Sequence, residues 1–68
     1  MGAGETEIEM AQRHVRKGKR IIARQRDLIE QRWAYGISTR YSEILLATFE
    51  DMQRLHEDHL ARIQSRKR

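Results

Sequence analysis

Apolar residues recur along this chain in steps of three and four, in two long stretches separated by a short break. In the first stretch Ile8, Val15, Ile22 and Ile29 stand seven apart. Ala11, Gly18, Gln25 and Arg32 fill the companion positions three further on. That is a heptad seam of the bundle or coiled-coil kind with a weak second column. In the second stretch the same steps run through Tyr41, Leu45, Thr48, Phe49, Met52, Leu55, His56, His59 and Ile63. Ile44, Leu46 and Leu60 lie partly outside this stripe and widen it beyond what one partner helix covers. With no proline in the chain, the periods predict helix 1 over about residues 6–34 and helix 2 over about residues 40–66.

The ends of the stretches carry the residues that start and stop helices. Thr6 with Glu9 three residues on forms a capping box, and Glu5, Glu7 and Glu9 suit the positive end of the helix dipole. Gly36, just past the last apolar-periodic turn, predicts a left-handed C-terminal cap, with Ile37 placed for the apolar contact of a Schellman ending. Ser38 or Thr39 caps helix 2, and Glu43 falls in its first turns. A turn confined to residues 35–39 makes the two helices an antiparallel hairpin. Centring the pairing on Gly36 and Ile37 sets Ile29 against Leu45, Ile22 against Met52, and Val15 against His59. The predicted core is Ile8, Val15, Ile22, Ile29, Leu45, Phe49, Met52, Leu55 and Ile63. Gly18 costs about 1 kcal/mol of helix propensity relative to alanine, which points to close helix approach there. Gln25, polar within a core column, is a register-fixing residue. A hairpin with apolar residues on two flanks is normally half of a four-helix bundle, so the expected state is an all-α homodimer.

Composition changes this picture in three ways. Sixty-eight residues without cysteine make one small domain with no disulfide or thiolate metal site to reinforce it. The first residues are acidic and lack an apolar export core, and no apolar run reaches the roughly 20 residues that span a bilayer. A cytoplasmic location is therefore expected, with residues 1–4 disordered and a basic tail at residues 67–68. The formal charge of +4 is unevenly spread. Between Met10 and Arg26 there are seven basic residues and no acid, whereas Glu43 to Asp58 holds five acids against Arg54. Helix 1 is basic, helix 2 acidic, and the C-terminus basic again.

Three constellations are candidates for chemistry. His14, His56 and His59, with Glu57 and Asp58 nearby, are candidate metal ligands. Their preferred reading is hydrogen-bonded histidines closing the open end of the bundle, His14 lying across from Leu60 and near His59. Arg13, Arg16, Lys17, Lys19 and Arg20 with Arg66, Lys67 and Arg68 are candidate phosphate contacts. The competing reading pairs helix 1 with the acidic helix 2 of the same or a partner chain. Trp33, Tyr35 and Tyr41 gather near the turn, and plugging the closed end is preferred over an exposed recognition patch. A membrane-surface role is set aside because the hairpin consumes the apolar face. No catalytic triad, phosphate loop or cofactor motif is present, so an enzyme is not expected and no cofactor is implied.

The segments His14–Gln31 and Leu45–Ile63, with Gly36 between them, resemble a group of short uncharacterised alphaproteobacterial proteins. That group carries a His-Val/Ile-x-x-Gly-x-x-x-Ile-x-x-Gln pattern, then Gly-His-Asp-Thr, then Leu-Leu-x-x-Phe-Glu. Here Ile37 and Ser38 stand where the group has His and Asp. The resemblance implies a small helical protein and carries no activity or site residue. The reading that follows is a non-enzymatic hairpin acting through protein–protein contact, with itself or an unidentified partner; the alternative is a small nucleic-acid-associated protein.

Overall fold

A computed structural model describes residues 4–66. It contains two helices, α1 (Glu7–Ala34) and α2 (Arg40–Arg66), packed against each other as a hairpin. The expected disorder of residues 1–4 falls, apart from Gly4, outside the described residues, as does the basic tail at 67–68.

Both helix ends of α1 follow from the local sequence. Thr6 Oγ1 accepts from the Glu9 amide at 3.1 Å and Glu9 Oε1 accepts from the Thr6 amide at 2.9 Å, closing the capping box. At the other end Gly36 has φ +72°, the left-handed conformation that glycine adopts without a Cβ penalty. The Ile37 amide donates to Arg32 O at 2.9 Å and the Gly36 amide to Trp33 O at 3.0 Å, the two bonds of a Schellman ending. At the start of α2 neither candidate side chain makes the usual cap bond to the second or third helical amide. Thr39 is buried, its carbonyl accepts from the Glu43 amide at 2.8 Å, and its hydroxyl donates to the Glu43 carboxylate. Ser38 Oγ accepts from the Arg40 amide at 3.4 Å.

The seam of α1 is the one its heptads predict: Ala11, Val15 and Gln25 are buried, and Ile8, Gly18, Ile22, Ile29 and Arg32 are half-buried. The seam of α2 is rotated from the expected one. It runs through Thr39, Ser42, Leu46, Phe49, Gln53, His56, Leu60 and Ile63, all buried or half-buried. Successive helical residues lie about 100° apart, so placing Gln53 rather than Met52 inward turns α2 by roughly a quarter-turn. Met52 is 50% exposed and Leu55 66% exposed, so neither lies between the helices. Tyr41, Thr48 and His59 also point outward. The expected pairings of Ile22 with Met52 and Val15 with His59 are therefore corrected.

Hydrogen bonds from two glutamines account for the rotation. Gln53 Nε2 donates to Val15 O at 2.9 Å, and Gln25 Nε2 donates to Ser42 O at 2.9 Å, both buried. Each helix thus sends one amide across to a backbone carbonyl of the other. The Gln53 amide lies over Gly18, where an added Cβ would sit 1.7 Å from Gln53 Oε1. The close approach read from Gly18 is what lets this side chain cross. Gln53 Oε1 itself is buried without a hydrogen-bond partner, a cost on the order of 1–3 kcal/mol.

Gly18→Ala gains about 1 kcal/mol of helix propensity but displaces the end of Gln53 from its bond to Val15. The two residues should therefore be coupled. In a double-mutant cycle read by chemical denaturation, Gln53→Ala should cost about 1 kcal/mol less in the Gly18→Ala background than in the native chain. Additive effects would show that Gln53 does not depend on the glycine notch.

Candidate interaction surface

The seam columns divide the hairpin into two flanks of different chemistry. Residues just before the first column of each helix share one flank in an antiparallel pair, and residues just after the second column share the other. On the first flank stand Ile21 and Leu28 of α1 with Leu45 and Met52 of α2. Met10, Tyr41 and Leu55 extend it outward. Among these only Leu45 is half-buried; the others are exposed. An open groove of about 600 Å³ runs here, floored by Ile21, Gln25, Leu28 and Phe49, with Arg24 on its rim. The second flank is charged: Lys19 and Arg26 of α1 face the side bearing Glu43, Glu50 and Glu57 of α2. Arg26 and Glu50 pair at 2.8 Å across it.

The apolar flank overturns one earlier premise. The hairpin does not consume its apolar face, because the stripe on α2 is wide enough to supply the seam and still leave Met52 and Leu55 bare.

The histidines assemble only in part. His14 of α1 and His56 of α2 meet across the seam, ring centroids 5.5 Å apart and tilted by 47°. His56 thus takes the place expected for Leu60 and His59 opposite His14, as the rotation of α2 requires. His59 is exposed. No group of three or more His, Cys, Asp or Glu among the described residues is placed to hold a metal ion, so His14, His56 and His59 do not form a ligand set within one chain.

The basic residues fall into three groups. Arg13 pairs with Glu5 at 2.7 Å, and Arg66 with Glu7 at 3.5 Å at the open end. Arg16, Lys17, Lys19, Arg20 and Arg24 are exposed and have no carboxylate within ion-pair distance among the described residues. Lys67 and Arg68 lie outside the described residues. Wholesale pairing of basic α1 with acidic α2 inside one chain is therefore not what the fold does; Arg26–Glu50 is its representative.

At the turn, the expected plug is absent. Trp33 is 76% exposed, Tyr35 81% and Tyr41 72%. Trp33 lies within α1 and Tyr41 within α2, both on exposed faces away from the seam, and Tyr35 stands in the turn between the helices. Trp33 borders a shallow hollow of about 570 Å³ with Gly36, Ile37 and Arg40. What sequence reasoning missed was Gln53: its amide, not an apolar side chain, marks the seam of α2, and Gln25 at the matching position of α1 was the available signal.

The fold biases protonation at the Glu5–Arg13 pair. Arg13 donates two hydrogen bonds, at 2.7 and 2.9 Å, to the Glu5 carboxylate. These bonds hold the Glu5 carboxyl below its ordinary value of 4.5, with His14 and Arg16 adding smaller favourable fields. A lowered folded value means the contact is complete at neutral pH and is lost only as pH falls through that lowered value. An NMR titration should place the Glu5 midpoint below 4.5, the ordinary value, and Arg13→Ala should move it back up. An unmoved midpoint in the variant would discard the pair.

Among the described residues no helix is long and apolar enough to cross a membrane. The chain matches no protein-family model, no curated protein and no solved structure, so its site stands on its own geometry.

Proposed function

We propose that this chain is a non-enzymatic interaction protein that works by associating with a second copy of itself, two hairpins forming a four-helix bundle. The observation that carries this reading is the imbalance between what the seam buries and what the flank leaves bare. Among the described residues Ala11, Val15 and Ile63 are the buried apolar ones, whereas ten large apolar side chains are exposed. The hairpin is 13 Å in its thinnest dimension, about the diameter of one helix. It is a single layer, and stable domains need two.

Area points the same way. The accessible surface is 5657 Å², whereas a compact monomer of this mass exposes roughly 4,500 Å². The excess, about 1,100 Å² by that scaling, is more than the roughly 800 Å² each partner loses in a standard interface. A second hairpin laid on the apolar flank removes that surplus.

One observation favours a second reading. The unpaired strip of Arg16, Lys17, Lys19 and Arg20 on α1 suits a phosphate backbone, giving binding that is insensitive to sequence and sensitive to salt. Absence of DNA and RNA binding at about 50 mM salt eliminates it, since electrostatic attraction is strongest there.

Sedimentation equilibrium should give twice the 8.2 kDa chain mass, and the melting temperature should rise with protein concentration, because folding and assembly are linked. Met52→Asp with Leu55→Asp should abolish the dimer and lower helicity together. A native chain that stays monomeric with a concentration-independent melt would defeat the proposal.

A further inference from the structure

We infer that the second copy docks with its two-fold axis running along the helices, so that α1 of each copy lies beside α2 of the other and the unpaired basic border of α1 meets the acidic border of α2. This rests on the self-association reading above and says which helices become neighbours.

The geometry of each helix supplies the first argument. In a four-helix bundle every helix touches two neighbours about a quarter-turn apart. On α1 the seam through Val15 and Ile22 lies roughly a quarter-turn from Ile21 and Leu28; on α2 the seam through Gln53 and Leu60 lies the same angle from Met52. Both helices therefore present a second contact line at the angle a bundle requires.

Charge decides between the two ways of using those lines. A two-fold axis lying across the helices sets α1 beside α1 and α2 beside α2. An axis along them sets α1 beside α2 at every contact. Beyond Ile21 and Leu28 the outer border of α1 carries Lys17 and Arg24, both exposed and unpaired among the described residues. Beyond Met52 and Leu55 the outer border of α2 carries Asp51 and Asp58, both exposed, Asp51 also pairing with Arg54 of its own helix. Like beside like would line up Lys17 and Arg24 with themselves, and like charges at an interface oppose association. Unlike neighbours convert the same residues into opposite pairs.

Height agrees as well. Gly18 lies opposite Gln53 within the hairpin, and an axis along the helices preserves heights. Lys17 then stands between Asp51 and Asp58 of the second copy, within about one helical turn of each, and Arg24 lies one turn from Asp51 on the other side. Long basic side chains span that distance.

The test uses two charge-reversed full-length chains, Lys17→Glu with Arg24→Glu and Asp51→Lys with Asp58→Lys. Each alone should dimerise at least about tenfold more weakly than the native chain in sedimentation at about 50 mM salt. Mixed in equal amounts, they should form a heterodimer of near-native strength and recover native helicity by circular dichroism. That recovery separates lost docking from a failure to fold. If the first variant instead pairs more tightly with the native chain than either chain pairs with itself, like helices are neighbours and the inference is wrong. A native dimer indifferent to both reversals overturns the inference but leaves self-association standing. A native chain monomeric at all concentrations removes the self-association reading itself.

Discussion

The hairpin depends on the approach of α2 to a position on α1 that has no side chain. At Gly18 the backbones come close enough for the Gln53 amide to cross and donate to Val15 O at 2.9 Å. Gln25 makes the reciprocal bond to Ser42 O nearer the turn. Together they fix both the height and the rotation of α2, since a slide of one turn or a quarter-turn of rotation would leave two buried amides unpaired. Each such loss costs more than the bond is worth in water. The price of this specificity is a seam that is partly polar, with Thr39, Ser42, Gln25 and Gln53 buried in it.

That polarity governs the rest of the surface. Residues that would have filled an apolar seam, Met52 and Leu55 above all, are turned to one flank, where they join Ile21 and Leu28. The opposite flank is charged, and its Arg26–Glu50 pair sits at the surface, where such contacts contribute little stability. The stabilising reserve of the molecule is thus concentrated on the flank that a single chain leaves uncovered. Folding and association become one problem under this reading, as is common for chains too small to enclose a core alone.

Under the proposed reading the chemistry on view is that of recognition between surfaces. Apolar side chains form a long shallow stripe, basic residues border it on one helix, and acidic residues border it on the other. The two histidines that meet, His14 and His56, lie in the seam at the open end, while the aromatic residues stand free at the turn. These two ends differ in character, so the assembly proposed here would display Trp33, Tyr35 and Tyr41 at a place that the apolar flank does not reach.

The sequence by itself determined both helices, their ends and the hairpin. Thr6 with Glu9, and Gly36 with its positive φ, act through bonds between residues a few positions apart, which a sequence displays directly. It also marked Gly18 and Gln25 as the residues to watch in the seam. The tertiary structure alone decided the rotation of α2, and with it the exposure of Met52 and Leu55 and the meeting of His14 with His56. A stripe as broad as that of α2 has two possible inward lines about a quarter-turn apart, and hydrophobic period cannot choose between them. The choice is made by glutamine amides whose partners are backbone carbonyls of the other helix, and those partners exist only once the helices are side by side.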